Sequence, residues 1–221
     1  CLASARLGHK TVLITGNVNM IASMPCNPSV GGPAKGIVVR EIDALGGEMA
    51  RNADKTQIQM RFLNISKGPA VRALRAQSDK VDYPREMKNT IFSQENLDIV
   101  ESYVKKLHEE NNVILGIELE DGTIILGKKI IITTGTYMEA KILVGSSSIT
   151  EGPDNQKASV GLSKQLRELG YVTKRLKTGT PPRLDGKTIN YDDIEMQAAD
   201  DDPYFFSFLT NKLANKQIAC G

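Results

Sequence analysis

The spacing of apolar residues changes period several times along the chain, and each change predicts a change of element. At the start, "CLASARLG" sets small and apolar residues at helical spacing, and Gly8 leads into the β-branched run Thr11 to Thr15, which reads as a helix tail feeding a strand. A Gly/Pro loop follows, then a helix from about Ile37 to Leu45 that closes on a glycine C-cap in "REIDALGG". After a turn-rich piece, Pro69 marks the start of a helix through "GPAVRALRAQSDKVDY", which Pro84 should end or kink. From Leu97 the runs become short and β-rich: "LDIVESYV", "NVILGIELEDG", "TIILG" and "KKIIITTGT" predict a strand, a β-meander turning at Asp121-Gly122, and a final buried strand. "SVGLSKQLRELG" is an amphipathic helix with Ser159 or Ser163 as its cap, and "YVTKRLKTGTPPRLDG" leaves it as a loop.

Beyond Asn190 the composition shifts to the acidic "DDIEMQAADDDP" and the aromatic "YFFSFL". This predicts one domain over residues 1–189 and the beginning of a second α/β domain over 190–221. The order of parts is that of an α/β, Rossmann-like fold of the two-dinucleotide-binding flavoprotein kind, with a β-meander inside it. Because the chain opens on a helix tail, the fold is expected to lack its first strand. "NKQIACG" carries no closing signal and is expected to be cut short as well. A glycine directly after a buried strand lets the backbone approach a cofactor, which makes Gly135 in "TTGT" a candidate contact.

Composition narrows the function classes. Of 221 residues, 40% are hydrophobic and 24% charged, which suits an ordinary folded protein, and a net charge of +2 is too small to announce a nucleic-acid partner by bulk electrostatics. Cys1, Cys26 and Cys220 form no CxxC pair, and His9 and His108 stand apart from them, so no metal site is expected. Cysteine usage fits a reducing cytoplasm. No apolar run approaches the roughly twenty residues of a membrane span.

Four unusual loops carry the specific signal: "CNPSVGGPAKG", "REIDALGGEMARNADKTQIQMR", "LNISKGPAVRALRAQ" and "RLKTGTPPR". Together they resemble the GidA/MnmG family of tRNA-modifying flavoproteins, and the likeness runs from Leu2 to about Cys220. The resemblance implies an enzyme that uses FAD, with NADH and methylene-tetrahydrofolate as co-substrates, to build an aminomethyl-type group on carbon 5 of the wobble uridine of tRNA. It further implies an MnmE GTPase partner, a homodimer at full length, a glycine-rich dinucleotide fingerprint upstream of Cys1, and weak or no FAD binding by this piece alone. A small-molecule flavin oxidoreductase and a non-catalytic RNA-binding remnant are the rival classes.

The resemblance assigns roles that compete with plainer ones. Cys26, fixed between prolines near Lys35, is the candidate nucleophile for carbon 6 of uridine; the alternative is an inert packed thiol. Asn27, Gly31, Gly32 and Lys35 are candidate cofactor contacts, although the loop does not satisfy GxxxxGK[ST] and could be a packing turn. Lys67 is a further candidate ligand contact. Arg72 and Arg75 would share one helical face, with Arg72 toward phosphates and Arg75 paired to Asp79. Val104 and Ser159 match family positions beside FAD. Lys174, Arg175, Lys177 and Arg183 either line a path for tRNA or form a rigid basic linker.

Overall fold

A computed structural model describes all residues from Cys1 to Gly221. In chain order the elements are α1 (Leu2–Arg6), β1 (Thr11–Thr15), β2 (Ser29–Gly31), α2 (Lys35–Ala44), α3 (Met49–Thr56), β3 (Gln57–Leu63), β4 (Ala73–Ser78) and α4 (Asp82–Phe92). Then come β5 (Leu97–Glu101), β6 (Val104–Glu110), β7 (Val113–Leu119), β8 (Ile124–Leu126), β9 (Ile142–Val144), β10 (Ser147–Ile149) and α5 (Leu162–Glu168). They group into two compact units, one formed by residues 1–12, 20–98 and 179–221 and the other by 13–19 and 99–178. Residues 179–221 pack with 20–98 in the first of these units. β1 and β5 are hydrogen-bonded neighbours; the bonds from Thr11 N to Asn96 O and from Ser102 N to Thr15 O run them in the same direction.

The first unit is a layer of three antiparallel strands, ordered β2, β4, β3, covered on one face by helices. Alternation decides the faces: Met60, Leu74 and Ala76 join Val30, Val39, Ala50, Ala53 and Tyr83 in one core. α2 ends where Gly46 adopts φ +83°, the left-handed turn expected of a glycine beyond a helix C-terminus. α1 is held to this unit by Arg6, which pairs with Glu48 at 2.5 Å and donates to the Gly46 carbonyl.

Three predictions fail here. Residues 69–78 are not a helix: a single 3-10 turn, Pro69–Val71, leads straight into β4. The helical spacing of "AVRALRA" is also compatible with alternation, and the antiparallel pairing to β2 and β3 decides for the strand. Pro84 does not end a helix but sits in the first turn of α4, where its missing N–H has no helical acceptor to satisfy. Asp79 caps that turn, its Oδ1 accepting from Val81 N at 2.7 Å and Asp82 N at 2.9 Å, rather than pairing with Arg75.

The segment after Gly179 is tied into this unit by polar anchors. Phe206 is fully buried in the core, worth about 2–3 kcal/mol of apolar transfer. Buried Asp54 accepts the N–H groups of Phe206 (3.0 Å) and Ser207 (2.8 Å), Asp43 accepts that of Phe208 (3.0 Å), and Arg40 donates to the Phe205 carbonyl while stacking on the Phe208 ring. On either side of these anchors the chain runs along the free edge of β3: Ile218 N donates to Ile58 O, Asp200 N to Met60 O, Met60 N to Gln217 Oε1 and Phe62 N to Asp200 Oδ2. An otherwise open strand edge is thereby closed.

Burial pushes the Asp54 carboxyl above its ordinary value of 3.8, against the backbone N–H bonds from Ser207 and Phe206, which favour the charged form. The folded chain then binds more protons than the unfolded one between the two values. This group's contribution to stability is fullest below the ordinary value and declines as pH rises through the folded-state value. The stability advantage of the wild type over Asp54→Asn, read as the difference in urea midpoints, is therefore expected to shrink as pH rises above about 4. An advantage that grows with pH would contradict the assignment.

The second unit contains the meander β6, β7, β8, all antiparallel, turning at Gly122 (φ +87°) as the Asp-Gly signal predicts. α5 packs on β6 through Leu162, and the Gln165 side chain bonds the Leu107 backbone in both directions, accepting from its N–H at 2.7 Å and donating to its carbonyl at 2.9 Å. The helix is capped by neither serine: Gly161, at φ +105°, is the N-cap residue, Ser163 lies buried inside the first turn and Ser159 is bridged to Met138. The predicted final strand does not form. Residues 128–134 have no regular structure, and Ile131 is 79% exposed, because no strand lies alongside to take up the hydrogen bonds of "KIII". The hairpin β9–β10 turns at Gly145.

Candidate active site

In the first unit two sequence-distant loops meet at Cys26. The chain leaves Cys26 as a tight turn, with Ser29 N donating to the Asn27 carbonyl at 2.7 Å, and enters β2, where Gly31 lies opposite Arg75. Gly31 has φ +128°, and a Cβ there would stand 2.1 Å from the Leu74 carbonyl oxygen. Gly36 is similarly confined, at 2.8 Å from the same oxygen. Both are packing glycines that let the loop and α2 approach β4. Gly32 differs: φ is +99°, nothing lies within 4 Å of the place a Cβ would take, and its N–H donates to Leu74 O at 3.0 Å.

Cys26 is half-buried, and its thiol donates to the Gly179 carbonyl at 3.1 Å. Arg183 reaches back to the same turn, donating to the carbonyls of Cys26 and Pro25. The end of "KTGTPPR" thus folds over "CNPSVGG". Lys35 is exposed along its stem, yet its ammonium is drawn onto the loop, donating to Ser29 O at 2.8 Å. Desolvation lowers its pKa, and the charge of a Cys26 thiolate acts in the opposite direction, so ammonium and sulfur are electrostatic neighbours. A thiol fixed by the Gly179 carbonyl, beside a cation, with its backbone clamped by a guanidinium, can serve as a positioned nucleophile.

The remaining candidates in this unit lie on the β3–β4 connection. Lys67 is exposed in a turn where its N–H donates to Asn64 O. Arg72 is exposed and extended just before β4, and Arg75 lies within β4, so the two do not share a helical face. Asn27 is exposed.

In the second unit Val104 opens β6 opposite Leu119 and packs into the meander core. Ser159 donates its N–H to Tyr137 O (2.9 Å) and accepts from Glu139 N (2.8 Å), which brings it beside the turn that holds Gly135. Gly135 has φ +58° and open space where a side chain would project. By contrast, the space at Gly16, the glycine after β1, is filled by the Tyr103 ring. Lys174, Arg175 and Lys177 are exposed, and Arg175 donates to Glu139 O at 3.1 Å.

Sequence reasoning missed that Gly179 and Arg183 are direct partners of Cys26. They lie more than 150 positions away, and only the joint presence of the two loops pointed to them.

Fold and loops define a mixed α/β protein in which a glycine-rich loop presents a fixed cysteine. All of residues 1–221 match the family described as glucose inhibited division protein A, and the chain belongs to that family. It is 55% identical over 219 residues to the tRNA uridine 5-carboxymethylaminomethyl modification enzyme MnmG of Geobacillus kaustophilus, and 54% identical to the enzyme of that name from Listeria innocua. Each alignment covers 99% of this chain and 35% of the relative. The solved structure of Aquifex aeolicus GidA superposes with a TM-score of 0.91 at 41% identity, over 99% of this chain and 37% of that one. The chain therefore spans about a third of the length of these relatives.

Proposed function

We propose that this chain is part of a cytoplasmic flavoprotein that, as a homodimer with an MnmE GTPase partner, builds a (carboxymethyl)aminomethyl group on carbon 5 of the tRNA wobble uridine. The activity for which the relatives are named supports the reaction class, and the observation that carries the reading onto this chain is Cys26 held by Gly179 and Arg183 beside Lys35. In this reading residues 1–189 belong to a FAD-binding, two-dinucleotide-type domain, and 190–221 belong to an inserted second domain.

The open glycine turn at Gly32, with the Lys35 ammonium beside it, suits an anionic group of a cofactor, and the turn at Gly135 is likewise open. Asn27, Gly31, Gly32, Lys35, Lys67, Val104, Gly135 and Ser159 are the proposed cofactor contacts. Bound FAD would supply a ring that exchanges electrons with NADH, while the one-carbon unit of methylene-tetrahydrofolate enters the product without net reduction, joined to carbon 5 and to an amine nitrogen. The chain's own contribution is at the base. The Cys26 thiolate adds to carbon 6 of uridine, and the electron pair of the 5,6 double bond moves toward the 4-carbonyl, which makes carbon 5 nucleophilic. Once carbon 5 has bonded to the one-carbon unit, the carbon–nitrogen bond to the folate breaks and the incoming amine takes its place, and loss of the carbon 5 proton with departure of the thiolate restores the pyrimidine. Lys174, Arg175, Lys177, Arg72 and Arg183 supply positive charge for the tRNA backbone.

The test is expression of the full-length protein in a bacterium lacking its own enzyme of this type, followed by mass spectrometry of wobble nucleosides. Restoration of the modified uridine is expected. Unmodified uridine despite soluble, flavin-loaded protein would favour oxidation of a small molecule instead.

A further inference from the structure

The face of the β2–β4–β3 layer turned away from its core carries a pair of charges that neither the fold nor the proposed chemistry uses. In β3, Met60 and Phe62 turn to the core and Arg61 between them turns away; in β4, Leu74 and Ala76 turn inward and Arg75 away. The register sets Arg61 directly opposite Arg75, and Gly31, with no side chain, on the other flank of Arg75. Like charges at directly paired positions destabilise a sheet. No carboxylate pairs with either: Arg61 Nη1 donates to the neutral Gln197 Oε1 at 3.0 Å, and Arg75 Nη2 has only Gln59 Oε1 at 3.5 Å. Asp200, on the segment packed along β3, directs its Oδ2 to Phe62 N. The Nε–H of each arginine is screened from water and has no acceptor.

We propose that Arg61 and Arg75 together clamp a phosphate group. Two guanidinium groups at directly paired positions of neighbouring strands offer N–H donors, and an oxyanion admitted between them would supply the acceptors both Nε–H groups lack. A pair of fixed positive charges matches a phosphate better than a singly charged carboxylate. The assignment stands on strand register and missing acceptors, independently of any reading of the chain as a tRNA enzyme.

The test is calorimetric titration of the purified full-length protein with inorganic phosphate and, separately, with decauridylate RNA, repeated on Arg61→Gln and Arg75→Gln. Each substitution is expected to weaken binding of at least one probe about tenfold or more, and without probe each variant should melt no lower than the wild type because repulsion is relieved. Loss of free phosphate binding identifies a small phosphorylated ligand, and loss of RNA binding alone identifies a polynucleotide backbone. No binding of either probe by the wild type, or equal binding by the variants, overturns the proposal. So does a lower melting temperature with binding unchanged, which would make the arginines structural. Should Arg75→Gln not fold, Arg61→Gln is read by the same criteria.

Discussion

Gly31→Ala should lose about 3–5 kcal/mol of stability, among the largest single-residue effects available in this chain. The new Cβ would stand 2.1 Å from the carbonyl oxygen of Leu74 and 2.7 Å from the Cα of Arg75, both backbone atoms of the central strand β4 that cannot rotate aside. In addition φ is +128°, where an L side chain is strained by about 1–3 kcal/mol. Relief requires β2 to move off β4, which breaks the pairing of Ser29 to Gln77 and of Val30 to Ala76 and pulls the fully buried Val30 from the core. Gly32→Ala is the internal control. It shares a positive φ but meets no atom within 4 Å, so it should lose only about 1 kcal/mol. Urea unfolding of both variants measures the difference, and equal midpoints would show that the close approach of β2 to β4 is not what this glycine provides.

Cys26→Ser should abolish the proposed reaction while leaving the fold intact. Serine keeps the size of the side chain and a donor for the Gly179 carbonyl, but its hydroxyl does not ionise near neutral pH as a thiol can. Removal of a covalent nucleophile is expected to slow the reaction by about a thousandfold or more, equivalent to roughly 4 kcal/mol of barrier. In complemented cells the wobble uridine should stay unmodified, with the variant's urea midpoint unchanged. Activity within about tenfold of wild type would limit Cys26 to packing.

How far the sequence could be read depended on whether the deciding forces were local. α2 with its glycine terminator, β1, and the Asp121-Gly122 meander follow from period and turn chemistry within a few residues, and the structure has them where these signals lie. Arg72 and Arg75 were misplaced because the spacing around them suits helix and strand alike, and the choice was made by β2 and β3, which are far along the chain. The run Ile130 to Ile132 misled for the converse reason, since a strand pattern without a neighbouring strand has nothing to pair with. At the candidate site, Cys26 and Lys35 were legible as residue types in one loop. Their partners Gly179 and Arg183 were not, because a carbonyl acceptor has no side-chain signature.

The border of β6 is sealed by an amide side chain, Gln165 against Leu107. A glutamine carries both a donor and an acceptor, so it can imitate a neighbouring peptide without a strand having to be threaded alongside. Such a plug denies incoming chains a place to zip on, and it can be withdrawn by turning a single side chain, with the sheet behind it left undisturbed.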